Sequence, residues 1–156
     1  MEIKRYGAKE FLAAGKLCIR ENEIHIWCIC WPEMTDFWVN HEYILSGQES
    51  EQVGRFRFSE DRMRYIAGKV VVRLLLKRYL DVETIDFSVS ERGKPYHKKI
   101  AGKQTVDFNI SHSGEFILAG FAVGMDIGVD VQEMAGCPDY REIAGNFYTE
   151  EEAEDV

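Results

Sequence analysis

Hydrophobic positions along the chain follow two periods, and their order predicts the architecture. Residues 24–31, I-H-I-W-C-I-C-W, are rich in β-branched and aromatic side chains and stop at Pro32. That pattern predicts a strand buried on both faces near the start of a sheet. From Ser59 the period lengthens: Met63, Ile66, Val70, Leu74 and Leu75 recur at steps of three and four, with Glu60 and Asp61 suited to a first turn and Ser59 placed to cap it. One long helix is expected over residues 60–80, with Arg62, Lys69, Arg73 and Lys77 largely on its solvated side. Gly68 falls in mid-helix, where glycine costs about 1 kcal/mol relative to alanine, so a close packing contact is expected there.

Beyond Asp81 the two-residue period returns. Ile85, Phe87 and Val89 alternate with polar residues as a half-buried strand, and the basic stretch E-R-G-K-P-Y-H-K-K-I-A-G-K reads as a loop punctuated by Gly93 and Pro95. Val106, Phe108 and Ile110 alternate next, Ser113 and Gly114 form a turn, and residues 116–123 return as the second strand of a hairpin. After a further turn at Gly124, Met125 and Asp126, residues 127–131 read as a third strand. A helix followed by an antiparallel meander is an α+β arrangement, an antiparallel sheet packed on a long helix, and not a doubly wound nucleotide fold. Residues 7–22 carry no clear period, and no solenoid repeat is present. Near the end, Thr149 and Glu152 stand at capping-box spacing, which predicts a helix starting near Glu150.

Composition narrows the class. A chain of 156 residues with 46% hydrophobic and 29% charged positions and 3 prolines suits one folded domain of ordinary size. The longest apolar stretch, residues 116–125, falls short of the roughly 18 residues that span a bilayer. Residues 1–16 lack the apolar core of a secretory signal, so a cytoplasmic location without membrane contact is expected. Of the four cysteines, Cys28 and Cys30 lie within the first strand pattern, and Cys18 and Cys137 have no partner at metal or redox spacing. Buried, reduced thiols are expected.

Charge excludes one class and suggests another. A net charge of -8 argues against general nucleic-acid binding. Within that acidic chain, residues 54–80 carry Arg55, Arg57, Arg62, Arg64, Lys69, Arg73, Lys77 and Arg78 against only Glu60 and Asp61. A local anionic partner or a solvated helix face are both open readings of that segment.

Two clusters could carry chemistry. Ser111 and His112 are adjacent, and adjacent strand residues point to opposite faces, so they cannot act on each other as nucleophile and base. No G-x-S-x-G elbow is present. As a binding loop at a strand end, however, each could offer a donor to a phosphate. Asp130 and Gln132 lie two apart on a strand pattern and so share a face, with Val129 and Val131 on the other. A carboxylate with an amide oxygen beside it can hold magnesium, which fills its shell with waters and substrate phosphates. Asp126 and Glu133 are close in sequence, but Asp126 falls in a tight turn, where Asp is common for local reasons.

Taken in order, R-G-K-P at residues 92–95, F-N-I-S-H-S-G at 108–114, I-G-V-D-V-Q at 127–132 and N-F-Y-T-E-E-E at 146–152 resemble the ordered motifs of the phosphopantetheinyl transferases. The resemblance is to the larger, pseudo-dimeric type, the surfactin-synthetase-activating kind that serves peptide and polyketide synthetases. The upstream R-F-R-F-S-E-D-R-M-R stretch and the long helix with Gly68 are similar to that family's N-terminal half. The resemblance implies Mg²⁺-dependent transfer of the phosphopantetheine arm of coenzyme A to a serine of an acyl or peptidyl carrier protein. It implies that Asp130 and Gln132 hold the metal, and that Lys94, Ser111, His112 and Arg64 meet the nucleotide and its phosphates. Phe147, Thr149 and Glu152 match a stretch of mainly structural role.

It also implies a fold of two similar α+β halves with the site between them. Residues 1–124 then form the first half, with the coenzyme A motifs, and residues 125–156 open an incomplete second half with the metal-binding strand. Three departures stand out. Gln132 occupies a position that is Glu in many relatives, Glu49 and Gln52 stand where some carry phosphate-binding lysines, and the W-x-x-K-E motif, with its Glu and Lys, does not occur. The catalytic residues therefore go unassigned, and a truncated chain inactive alone is expected. The alternative is a non-catalytic module that binds a carrier protein or coenzyme A, docking the carrier through residues 54–80.

Overall fold

The computed structural model describes residues 1–91 and 93–134. The helix expected from Glu150 and its capping box, Cys137, Arg92 and the 146–152 motif lie outside the described residues. The centre of the fold is a four-stranded sheet of β1 (Glu2–Tyr6), β2 (Glu23–Cys30), β6 (Phe116–Val123) and β5 (Val106–Ser113), in the order β1-β2-β6-β5. Helix α4 (Ser59–Leu80) packs on one face. Three short helices surround that layer: α1 (Ala8–Ala13), α2 (Thr35–His41) and α3 (Gly47–Val53). A two-stranded sheet of β3 (Phe87–Val89) and β4 (Pro95–His97) lies between α4 and β5 in the chain.

The α+β architecture holds, with changes in its sheet. The β5–β6 pairing is antiparallel as expected and β2 pairs antiparallel with β6, but β1 runs parallel to β2, so the sheet is mixed. A parallel edge needs a connection long enough to bring the chain back to the same end, and residues 7–22, where α1 lies, supply it. The β5–β6 hairpin turns at Gly114 and Glu115, with Ser113 opposite Phe116. Ser59 turns out to be the first helical residue of α4 and not its cap; Phe58 occupies the cap position and offers no side-chain oxygen. The helix ends at Asp81, in the left-handed conformation with φ 52°. Gly68 makes the close approach expected of it, since a Cβ there would sit 3.4 Å from Ile110 Cδ1 on β5.

Three burial expectations are corrected. β2 alternates strictly, burying Glu23, His25, Trp27 and Ile29 toward α4 and leaving its other face partly open. Cys28 and Cys30 point to that open face, so Cys28 is exposed and Cys30 half-buried; Cys18 is exposed as well, and all three are free thiols. Arg73 does not lie on a solvated face. Only 7% exposed, it donates Nε to Ile44 O (2.9 Å) and Nη2 to Glu49 (2.6 Å), and its guanidinium stacks over Phe87 at 4.4 Å. Glu49 also meets Lys69 at 3.6 Å, so this acid neutralises part of the basic helix from within the fold.

Polar groups inside the helix face form a chain with one gap, at buried His25 Nε2, which has no hydrogen-bond partner among the described residues. Trp27 Nε1 can only donate, and it donates to Tyr79 Oη (3.0 Å). The Tyr79 proton is then free for His25 Nδ1 at 2.8 Å, which places the imidazole hydrogen on Nε2, 3.4 Å from Glu23 Oε2. Lys4 Nζ closes the chain on Glu23 at 2.7 Å. Hydrogen bonds from Lys4 and from the Arg20 amide hold the Glu23 carboxyl down to about 2, and burial lowers the His25 pKa.

Candidate functional site

Strand β5 builds the site by alternation. Val106, Phe108 and Ile110 face α4, while Asp107, Asn109, Ser111 and Ser113 face the other way. Residues 127–133 lie extended against that polar face, but not as the third strand that their alternation predicts. The amides of Ile127, Val129, Val131 and Glu133 donate to Asp107 Oδ2 (2.8 Å), Asn109 Oδ1 (2.9 Å), Ser111 Oγ (3.2 Å) and Ser113 Oγ (2.9 Å). Side chains thus supply the acceptors that a neighbouring backbone would supply in a sheet. The close approach requires glycine at position 120 on β6, where a Cβ would come within 2.6 Å of Val129 Cγ1 and 2.8 Å of Ile127 Cδ1.

Asp130, Gln132 and Ser111 come together on this face. Ser111 Oγ donates to Asp130 Oδ1 at 2.8 Å, and Gln132 Nε2 lies 3.2 Å from Asp130 Oδ2. The Ser111 hydrogen bond, aided by Gln132, holds the Asp130 carboxyl below the usual carboxylate range, so it is an anion at neutral pH. Asp130 and Gln132 are both exposed. Among the described residues no group of three or more His, Cys, Asp or Glu side chains could hold a metal ion. One ionised, accessible carboxylate beside an amide fits a hard cation that keeps most of its waters, provided that the Gln132 amide turns its oxygen toward the ion.

The remaining sequence candidates occupy two other places. At the hairpin tip, Arg64 Nε donates to Gly114 O (3.0 Å) and Nη1 to Asp61 (2.9 Å), while His112, two residues before Gly114, is exposed on the helix side of β5. Ser111 and His112 do point to opposite faces, as their adjacency requires. Gly114 has φ 53°, and a Cβ on it would meet the Glu133 carboxylate at 2.7 Å, so that carboxylate closes over the turn. Lys94 lies at the far end of the strand. Its Nζ contacts Asp107 (2.9 Å) and Ile127 O (3.2 Å). Four residues separate Asp107 from Ser111, about 13 Å along a strand.

Sequence reasoning missed Asp107, Asn109 and Ser113. The available signal was a run of short polar acceptors at every second position of β5 with a second alternating stretch after the hairpin; what hid it was their offset of 20 residues.

A family model described as "4'-phosphopantetheinyl transferase, N-terminal" matches residues 30–122. The chain belongs to the 4'-phosphopantetheinyl transferase family. Its relatives include the 4'-phosphopantetheinyl transferase HetI of Nostoc sp., 29% identical over 140 residues, covering 88% of this chain and 59% of that protein. The 4'-phosphopantetheinyl transferase Sfp of Bacillus subtilis is 35% identical over 114 residues, 72% of this chain and 48% of that protein. The rat L-aminoadipate-semialdehyde dehydrogenase-phosphopantetheinyl transferase is 24% identical over 142 residues, 83% of this chain and 45% of that protein. The chain spans about half the length of the curated relatives it matches. Among the described residues, no helix of this phosphopantetheinyl transferase chain is long and apolar enough to cross a membrane.

Proposed function

We propose that this chain supplies the coenzyme A face and part of the metal site of a transferase that moves the phosphopantetheine arm of coenzyme A onto a carrier-protein serine. In that reaction the serine oxygen forms a bond to the phosphorus bearing the pantetheine arm. The phosphorus–oxygen bond to the adenosine bisphosphate leaving group breaks, and the serine proton is given up. The observation that carries the reading is the Asp130 carboxylate, ionised, exposed and fixed by Ser111, with Gln132 beside it on the polar face of β5.

In this reading Asp130 and Gln132 would hold Mg²⁺. When bound, the cation would neutralise charge developing on the phosphates. Arg64 and His112 at the hairpin tip take part of the nucleotide and its phosphates, and Lys94 takes another part from the opposite end of β5. Ser111 reaches a phosphate only by giving up Asp130, because its hydroxyl has a single proton. Residues 1–124 form the first half and the stretch from 125 opens the second. The Glu and Lys of W-x-x-K-E do not occur in these 156 residues, so turnover requires a segment that carries them. An acyl or peptidyl carrier protein is the macromolecular partner, and the setting is cytoplasmic.

The test is the intact mass of an apo carrier protein after incubation with this chain, Mg²⁺ and coenzyme A, with and without an added segment bearing W-x-x-K-E. A phosphopantetheine-sized gain only with the segment is expected. A gain with the chain alone would show that the residues present suffice. No gain in either arm would favour a non-catalytic module that binds coenzyme A or a carrier.

A further inference from the structure

We infer that Asp107, Asn109, Ser111 and Ser113 form an acceptor ladder that positions Asp130, with Ser111 orienting its carboxylate. This rests on the reading of Asp130 as a cation ligand. Four successive alternate amides, those of Ile127, Val129, Val131 and Glu133, each meet an acceptor 20 residues earlier, so the segment is held in a single register on both sides of Asp130. Slippage by one residue would turn those amides away from their acceptors and present the opposite side-chain face.

Lys94 reinforces the register at one end. Its ammonium bridges the first acceptor, Asp107, and the carbonyl of the first donor residue, Ile127. Packing reinforces it in the middle, where Val129 and Ile127 sit against the bare backbone of Gly120.

Ser111 differs from the other three because its hydroxyl has two tasks. It accepts from the Val131 amide at 3.2 Å and donates its one proton to Asp130 Oδ1 at 2.8 Å. The acceptor bond fixes where the oxygen sits, and the donor bond then fixes how the carboxylate is turned, leaving Oδ2 beside Gln132. A hydroxyl committed this way acts on the metal ligand and not as a phosphate donor, which assigns the phosphate work at that end of β5 to His112 and Arg64. Groups that hold metal ligands in place are often nearly as important to affinity as the ligands themselves.

The experiment combines amide hydrogen exchange with binding of Mn²⁺ alone, followed by its paramagnetic signal, for the native chain and for Asn109→Leu, Ser111→Ala, Ser111→Thr and Asp130→Ala. Loss of one hydrogen bond should speed exchange at Val129 in Asn109→Leu by about tenfold. Mn²⁺ affinity should fall about tenfold in Asn109→Leu and Ser111→Ala, recover in Ser111→Thr, which keeps the hydroxyl, and vanish in Asp130→Ala. If Asp130→Ala abolishes Mn²⁺ binding while Asn109→Leu and Ser111→Ala bind as the native chain does, the ladder does not position the ligand and the inference falls alone. If Asp130→Ala binds Mn²⁺ unchanged, or the native chain does not bind it, Asp130 is not the ligand and both readings fall. Native amides at 127, 129, 131 and 133 that exchange as fast as unstructured ones would remove the ladder itself.

Discussion

The two faces of strand β5 are specified by opposite means. Toward α4, Val106 and Phe108 join Phe121, Ile117 and Trp27 in the apolar core, each of these five at most 1% exposed. Toward residues 127–133, Asp107, Asn109, Ser111 and Ser113 offer one acceptor each to a partner that remains partly exposed. Burial is non-directional and tolerates small shifts, whereas hydrogen bonds at fixed spacing do not. The helix face therefore supplies stability and the open face supplies position. Asp130, exposed yet held by Ser111, lies on the second.

The comparison breaks most sharply on the core side. Phe108→Ala removes a buried ring stacked with Phe121 and is expected to cost about 3–5 kcal/mol, measured by denaturant unfolding. A loss near the cost of its neighbour on the open face would erase the distinction. Gly120→Ala acts across the sheet: its methyl overlaps Val129, so about 1–3 kcal/mol should be lost and the 127–133 amides should exchange faster. If the fold loosens elsewhere and those amides do not change, the segment does not rest on Gly120.

Acid sharpens the contrast. His25 has a lowered pKa, so it is neutral in the fold, and the unfolded chain takes up its proton first as pH falls below about 6.5. Glu23 is held at about 2 against an ordinary value of 4.5, so its contribution is present above 4.5 and lost as pH falls through that window. Both act in one direction, and with Lys4, Tyr6 and Tyr79 around them they make the β1–β2 corner of the helix face acid-labile. The melting temperature should drop from neutral pH downward, with the upper part of the slope absent in His25→Gln; a flat profile in the native chain would contradict this. Next in size, Asn109→Leu should cost about 1 kcal/mol, well under Phe108→Ala, although the two residues are adjacent. Least of all, Arg62→Glu removes a 3.7 Å surface pair with Glu42 and should change stability by about 0.5 kcal/mol or less.

What the sequence disclosed and what it concealed divide along the same line. The long helix and the β5–β6 hairpin were legible because α4 repeats its apolar residues at three and four and the hairpin repeats them at two, with Gly114 between its strands. The pairing of Asp130 with Gln132 followed from the same alternation, and the opposed directions of Ser111 and His112 from strand geometry. Partners distant in sequence were not legible. Arg73 read as a solvated cation because Glu49 and Ile44 belong to a different part of the chain, and β1 has no pattern that announces a parallel partner at β2. The stretch after Asp126 read as a strand because side-chain alternation is the same whether the backbone bonds to another backbone or to a row of side chains.

The central claim is that Asp130, held on the open face of β5, makes coenzyme A binding depend on a divalent cation. Calorimetric titration of coenzyme A into the native chain and into Asp130→Ala, each with and without Mg²⁺, tests it most directly. The account predicts that Mg²⁺ strengthens binding to the native chain and that Asp130→Ala abolishes that gain, an affinity difference of about tenfold or more. Equal affinity in both chains at saturating Mg²⁺ would contradict it.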